Sequence, residues 1–330
     1  MIEKNLITTQ KNLLAFSGGV DSTALFFLLT EHNIPFDICI VNYHQREQSE
    51  LEVVYAKEIA HKYNKECYVI DYQFNKFNEK IARDFRYEVF SNIIIKYQYQ
   101  SLITAHQLND KFEWFLMQLS KGAGLSELIG LHKVEKRDYY ILYRPLLDIS
   151  KEELLDYLNT NKLQYFIDET NSDTKYKRNL FRKEFSDHFI TSYKNGLIKS
   201  FEYLEKDILS LKNKFETIKF EELIIFQFKN TVDENSTIRA IDKELKKRGI
   251  LISKKTRDEI LIQKSIIVSH KIAVEIRENS VWIAPFIESN MDKKFKEICR
   301  INKIPKYIRP YLYNFYTEGQ LPDFIMEFGK

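Results

Sequence analysis

The first 150 residues predict an open, doubly wound parallel α/β sheet, and the remainder predicts a helical linker and a small α+β domain. Short runs rich in Ile, Val, Tyr and Leu alternate with stretches of helical periodicity, the pattern that builds parallel sheets. The runs are apolar on both faces, as strands covered by helices on each side are. NLLAF (12–16) is the first strand and FDICIVNY (36–43) the second, followed by ECYVIDY (66–72), SLITAH (101–106) and YYILYRPLL (139–147). Helices separate them. DSTALFFLLTEHN follows the first strand, and Leu51, Val54, Tyr55, Ile59 and Tyr63 mark the next helix by their spacing. Ile81, Phe85, Val89 and Phe90 mark a third, while Trp114, Met117 and Leu119 continue a fourth after His106.

Pro145 follows the last strand, and Ser150 with Glu153 forms a capping box for KEELLDYLNTN (151–161). Residues 166–183 are polar and irregular. Leu204, Ile208, Leu211 and Phe215 then recur at i, i+4, i+7 and i+11, an amphipathic helix that joins two domains with a boundary near residue 215. The chain so divides into a first domain at 1–200, a linker at 201–216 and a C-terminal domain at 217–330. In the last, ELIIFQF, SIIVSH, KIAVEIR and SVWIAPF read as strands. TIRAIDKELKKRG reads as a helix, with Gly249 where a C-cap belongs.

With 44% hydrophobic and 29% charged residues, the 330-residue chain fits neither a disordered nor a membrane class. No run approaches the roughly 20 apolar residues that span a bilayer. MIEKNLITTQ carries neither the basic flank nor the long apolar stretch of a secretory signal, so a cytoplasmic protein is expected. Cys39, Cys67 and Cys299 are odd in number and far apart, with no CxxC, and are expected to be buried thiols. A net charge of +3 announces no polyanion, yet the cations cluster. Lys175, Lys177, Arg178, Arg182 and Lys183 form one group, Lys246 to Arg257 a second, and Lys293 to Arg309 a third. One such run is usually a solvated helix face; three in the latter half point to a polyanion surface.

SGGV, between NLLAF and its helix, sets two of only nine glycines side by side. In a parallel sheet that turn lies at the carboxyl edge, where α/β proteins bind ligands. Gly18 and Gly19 allow close backbone approach, so successive N–H groups converge on an anion, with Ser17 and Ser22 adding hydroxyls. The loop is neither GxxxxGK[ST] nor GxGxxG, and no lysine follows it. Asp21 would repel a bare polyphosphate and makes sense holding Mg2+ that neutralises it. The bland alternative is a tight turn with Asp21 and Ser22 as helix caps.

SGGVDS, Ser17 to Ser22, resembles the pyrophosphate loop of the N-type ATP pyrophosphatases, which cleave ATP between its α and β phosphates to adenylate a substrate. ITAHQLNDKFEWFLMQLSKGAGLSELIGL (103–131) resembles the tRNA(Ile)-lysidine synthetase segment TAHHxDDQxETxLMRLxRGxGLxGLxGM. His106, Asp110, Glu113, Met117, Lys121, Gly122, Gly124 and Leu125 fall on its fixed positions. ARDFRYEVF (82–90) resembles that family's ARxxRYxFF, and RPLLDISKEELLDYL (144–158) its RPLLxxxRxELxxYL. FIDETNSDTKYKRNLFR (166–182) resembles DxSNxDxxYxRNxIR, placing Asp168, Asn171, Asp173, Arg178, Asn179 and Arg182. The likeness covers nearly all of 12–185. Gln107, Asn109 and Lys111 depart from it, and NYHQR makes His44 and Arg46 equivalents of a family HGLR one residue longer. Residues 295–325 resemble the end of longer members, which would make the tail a tRNA-contacting domain.

The resemblance implies a ligase that joins L-lysine to C2 of cytidine 34 in the isoleucine tRNA with a CAU anticodon, after adenylating its O2 with ATP. Reading changes from AUG to AUA and identity from Met to Ile. It implies that Ser17, Gly18, Gly19, Val20 and Ser22 hold the ATP pyrophosphate with Asp21 and Mg2+. Asp110 and Glu113, three apart and so on one helix face, suit the lysine ammonium or a metal; a pair favoured by the helix dipole is the alternative. Asp21, His106 and Asp110 are the catalytic candidates, His106 by bonding a phosphate or moving a proton. Arg83, Lys121, Lys177, Arg178 and Arg182 are candidates for tRNA phosphates. A homodimer is left open. The rivals are a tRNA thiolase, which needs reactive cysteines, and a non-catalytic RNA-binding protein.

Overall fold

The computed structural model describes residues 1–3, 5–44, 48–72, 79–167, 177–212, 215–228, 233–322 and 325. The chain divides into two compact units, Met1–Lys206 and Asp207–Lys330.

The first unit is built on a six-stranded sheet of β1 (Asn12–Ala15), β2 (Asp37–Asn42), β3 (Cys67–Asp71), β4 (Ser101–Ile103), β5 (Val134–Lys136) and β6 (Ile141–Tyr143). Its order is β3-β2-β1-β4-β6-β5, parallel except for β5 at one edge. The helices are α1 (Val20–Glu31), α2 (Gln48–Lys62), α3 (Glu79–Tyr97), α4 (Leu108–Leu119), α5 (Leu125–Ile129) and α6 (Lys151–Thr160). Alternation along the strands separates two cores. Leu14, Ile38, Ile103 and Tyr143 join the residues of α1, α2 and α6, while Leu13, Cys39, Leu102 and Leu142 meet α3 on the other face. Both faces are covered, which is why the strands read apolar throughout. Every residue of α1 from Ser22 to Leu29 is buried, so its sequence shows no polar face.

Chain order reverses between β1 and β4, the switch point at which the connections leave in opposite directions. In open α/β sheets, ligands bind outside the carboxyl ends of the strands at such a point. The SGGV turn follows β1 and the segment from Thr104 to Gln107 follows β4, so the topology alone brings them together.

Several boundaries differ from expectation. SLITAH forms a strand only through Ile103, leaving His106 in the connecting loop. Residues 166–183, expected to be irregular throughout, turn helical at Lys177: α7 (Lys177–Phe181), a π-helical turn (Arg182–Ser186) and α8 (Asp187–Lys212) follow one another, with a kink inside α8 at Tyr193 (φ −130°, ψ 20°). Phe215, expected to close the linker helix, opens a strand instead. Its ring packs at a tilt against Phe226 (4.8 Å) and Phe228 (5.2 Å) of the neighbouring strand, and that pairing outweighs its helical spacing.

The second unit holds an antiparallel sheet of β7 (Phe215–Phe220), β8 (Leu223–Phe228), β9 (Ser265–Val268), β10 (Ile272–Ile276) and β11 (Ser280–Pro285). Its order is β7-β8-β11-β10-β9. One face packs on α9 (Glu234–Lys247) and α10 (Lys254–Gln263) through Ile241, Leu245 and Ile260. The other meets α11 (Lys293–Ile301) and α12 (Arg309–Thr317) through Phe295, Cys299 and Leu312. This is an α+β unit. No helix among the described residues is long and apolar enough to cross a membrane.

Candidate active site

At the end of β1, Gly18 has φ +73°, a left-handed conformation that only glycine adopts without strain. A Cβ there would stand 3.4 Å from Phe166 Cδ2 and 3.5 Å from Glu52. The Gly18 carbonyl accepts the Phe166 N–H (3.0 Å), which pins the loop from the far side. Gly19 sits at the N-cap of α1 with no side-chain cap, so the opening N–H groups of α1 remain available to an anion. Ser22 is buried and internal to the loop: its Oγ accepts the Ser17 N–H (3.2 Å) and donates to the Gly19 carbonyl (3.2 Å). Ser17 is exposed at its rim. Gly18→Ala is therefore expected to cost about 1–2 kcal/mol of stability from left-handed strain alone. Urea unfolding measures it, and an unchanged midpoint would contradict the strain.

Asp21 projects from the first turn of α1. Its side chain keeps some contact with water, but Oδ1 is sealed off and has no hydrogen-bond partner among the described residues. Burial, with the Asp110 carboxylate next in effect, pushes the Asp21 carboxyl up to about 7. Lys151 and Arg182 act in the opposite direction, and Glu113 adds to the rise. Loops and helices far apart in sequence thus share one electrostatic site.

The β4 side supplies its partners. Gln107 caps α4 by accepting the Asn109 N–H, and Asp110 Oδ2 accepts the Gln107 N–H (3.1 Å). Asp110 and Glu113 do lie on one face of α4, and both bond the same guanidinium. Arg178 donates from Nη2 to Asp110 Oδ1 and from Nε to Glu113 Oε2 (2.8 Å). Arg182 donates from Nε to Glu113 Oε1 (2.6 Å) and from Nη2 to Oε2 (3.2 Å). Glu113 is fully enclosed and Asp110 is 13% exposed. Burial opposes ionisation of Asp110, but Arg178, His106 and the Gln107 amide outweigh it and hold its pKa below the usual value. Burial likewise opposes the charge of Arg182, yet Glu113 raises its pKa.

His106 shares a hydrogen bond between Nδ1 and Thr104 Oγ1 (3.0 Å). Burial pushes its imidazole down to about 4, against the pull of Asp110, so the ring is neutral at pH 7. Arg83 is exposed on α3 over the Tyr87 ring and still lies close enough to lower the His106 pKa. Lys121 is exposed just beyond α4. Lys177 opens α7, but its side chain, like Arg46, Asp168, Asn171, Asp173 and Asn179, lies outside the described residues. His44 is described: Nδ1 meets Glu50 (2.7 Å) and Nε2 meets Asp71 (3.0 Å) at the ends of β2 and β3.

The three departures from the expected motif have structural partners. Gln107 caps α4. Asn109 Nδ2 donates to Asp187 Oδ1 (2.8 Å) while its Oδ1 accepts the Lys151 N–H (3.1 Å). Lys111, 2% exposed, pairs with Glu205 (2.8 Å) and lies 4.6 Å from the Phe201 ring. Asn109 and Lys111 thus tie α4 to neighbouring helices, while Gln107 fixes its first turn. Lys151, which sequence reasoning did not single out, is a cation acting on Asp21; its place opposite the arginine of the RPLLxxxR pattern was the available signal.

The PP-loop domain family matches residues 1–189. A tRNA(Ile)-lysidine synthase from Campylobacter jejuni is 43% identical over 311 residues, covering 94% of each chain. This chain belongs to the tRNA(Ile)-lysidine synthase family. Members from Wolinella succinogenes (41% identical, 94% of this chain, 95% of that one) and Helicobacter pylori (37%, 97% and 94%) extend the likeness through the C-terminal unit. A U34-tRNA thiolase from Methanococcus maripaludis superposes with TM-score 0.51 at 19% identity, over 61% of this chain and 74% of that one. That likeness concerns the fold. The lysidine synthase family uses ATP, and the glycine loop at the switch point is where a PP-loop domain would take its phosphates. Among the described residues no group of three or more His, Cys, Asp or Glu is placed to hold a metal ion.

Proposed function

We propose that this protein joins L-lysine to C2 of cytidine 34 of the isoleucine tRNA with a CAU anticodon, forming lysidine. ATP first adenylates the cytidine O2 and releases pyrophosphate; the lysine ε-amine then displaces AMP and gives up a proton. Family membership supports the reaction. The observation that carries its placement is the meeting, at one switch point, of the Gly18–Gly19 turn with the Asp21, Asp110 and Glu113 carboxylates.

In this reading the backbone from Ser17 to Ser22 cradles the pyrophosphate as it leaves, with Gly18, Gly19 and Val20 contributing N–H groups and the two glycines adding no bulk. Asp21 suits Mg2+: its sealed Oδ1 lacks a partner among the described residues, and one carboxylate plus substrate phosphates and water is an ordinary magnesium set. Bound there, the ion would offset phosphate charge. Asp110 and Glu113 divide the lysine role. A carboxylate has about four acceptor positions; Asp110 uses two on Gln107 and Arg178, keeping capacity for an ammonium, whereas Glu113 spends its oxygens on two arginines. Neutral His106 offers hydrogen bonding without a second cation near the α-phosphate.

Arg83 and Lys121, both exposed, and Lys177 are proposed contacts for tRNA phosphates. Arg178 and Arg182, also proposed for tRNA phosphates, first serve as countercharges for the α4 carboxylates. The thiolase reading is disfavoured, because burial pushes Cys39 up to about 12 and Cys67 up to about 11, far from the thiolate such chemistry needs. A cytoplasmic location follows from the substrate, and sedimentation of the full chain decides between monomer and homodimer.

The test is AMP release with ATP, lysine and the CAU-anticodon isoleucine tRNA. Lysine-dependent release with that tRNA and not with methionine tRNA is expected. Equal release with both, or none with either, overturns the proposal; tRNA binding without ATP–pyrophosphate exchange would favour the non-catalytic reading.

A further inference from the structure

The helical run from α7 to α8 has two apolar faces, and the core uses one. Ile190, Leu197 and Phe201 pack on Leu108 and Phe112 of α4. Phe185, Phe189 and Tyr193 recur every four residues on another face and are 54%, 42% and 63% exposed. Phe189 and Tyr193 rings are 5.1 Å apart, and Phe189 leans on Phe112 at 5.0 Å, which braces the row from behind. Phe185 lies 5.7 Å from the Phe181 ring, and a monomer gains nothing from leaving three aromatic rings this exposed along one run.

The surroundings of the row indicate what covers it. Lys183 and Lys199 are exposed along the same run, and the uncharged Ser192 and Asn195 are exposed beside Tyr193. Of the acids, Asp187 is tied to Asn109, and Glu184 sits at the edge. Aromatic faces bordered by cations and small hydrogen-bonding groups are the surface that unpaired bases stack on, since every base has a π face and a nearby phosphate. Position selects the same partner. The run begins with Arg178 and Arg182, bolted to Asp110 and Glu113 in the candidate site. Phe185 lies three residues past Arg182 within the π-helical turn Arg182–Ser186, and Tyr193 stands at a kink inside α8 (φ −130°, ψ 20°). The roughly two helical turns between them span about 10 Å, room for about three bases at about 3.4 Å per nucleotide.

We infer that Phe185, Phe189 and Tyr193 form a stacking platform for unpaired anticodon-loop bases adjoining the cytidine that is modified. The inference rests on the proposed function, since it takes that RNA as substrate. The platform holds loop bases outside their own stack, so the target base can turn toward the loop after β1.

The experiment uses the full-length chain and a transcript of the CAU-anticodon isoleucine tRNA. The double variant Phe185→Leu/Tyr193→Leu keeps apolar side chains but removes two π faces. It is expected to weaken tRNA affinity and raise the KM for tRNA at least tenfold, with kcat at saturating tRNA within about twofold of the parent. Stacking neutralises no phosphate, so the slope of log K against log salt stays unchanged, whereas Lys183→Ala should reduce it. Phe185→Trp/Tyr193→Phe restores affinity. Unchanged affinity in the leucine variant, or equal loss in the aromatic variant, overturns the platform while leaving lysidine formation by the parent intact. A parent dimer that the leucine variant dissociates would also overturn it, making the row an interface between copies. Failure of the parent itself to act on the tRNA would instead strike the proposed function.

Discussion

Asp21→Asn is expected to abolish adenylation and, in the absence of ligands, to make the folded protein more stable at pH 8. The loss follows from removing the charge proposed to meet Mg2+ and the phosphates, and a fall of at least a hundredfold in tRNA-dependent ATP–pyrophosphate exchange is expected. The gain follows from the raised pKa. The folded protein holds the Asp21 proton up to about pH 7, whereas an unfolded chain releases it near 3.8. Stability from this group is thus full below about pH 4 and lost as pH rises through 7. Such a shift corresponds to about 4 kcal/mol at most, and the side chain's partial contact with water brings the expectation to about 1–3 kcal/mol. Asparagine has no proton to lose. Urea midpoints of the two proteins should coincide near pH 4 and separate between pH 4 and 7, with the variant higher; a gap independent of pH, or a less stable variant at pH 8, would count against the site.

Glu113→Ala should do the reverse, destabilising the first unit by about 3–5 kcal/mol, because it takes from the largely enclosed Arg182 its carboxylate and from Arg178 one of the two α4 carboxylates it bonds. Arg182 is 16% exposed and Arg178 36%, so water repairs the second better than the first. Arg182→Ala alone should cost less than Glu113→Ala, and the double variant less than the sum, with a coupling of about 2 kcal/mol in denaturant unfolding. Additive costs would mean that the pair is not a unit. Arg300→Ala is the control. It breaks a pair on α11 whose side chains are 72% and 54% exposed, and the stability should barely move.

Much of the first unit was legible because its strands are covered on both faces and its helices carry periodic apolar positions. The Ser150–Glu153 capping box, predicted from spacing, is present with the Ser150 N–H donating to Glu153 Oε2 at 2.8 Å. The expectation that Asp110 and Glu113 share a face holds, since i and i+3 on a helix must. That their oxygens go to Arg178 and Arg182 was not legible, because those arginines come 65 residues or more later, on a segment whose polar composition hid its helix. Phe215 misled for a related reason. Its helical spacing from Ile208 and Leu211 is a local signal, and the rings that capture it into β7 belong to a partner strand.

The sequence by itself determined the doubly wound order of elements, the glycine turn after β1, the acidic pair on α4 and the family. Each depends on residues within about one helical turn or strand of one another, where backbone geometry leaves little choice. Only the tertiary structure decided which charges neutralise which. Sheet order placed the β1 and β4 loops together, and packing of α8 on α4 delivered Arg178 and Arg182 to Asp110 and Glu113. Burial at that junction shifted Asp21 upward and His106 downward. Those outcomes depend on distance and on the exclusion of water, and neither exists until the chain has closed on itself.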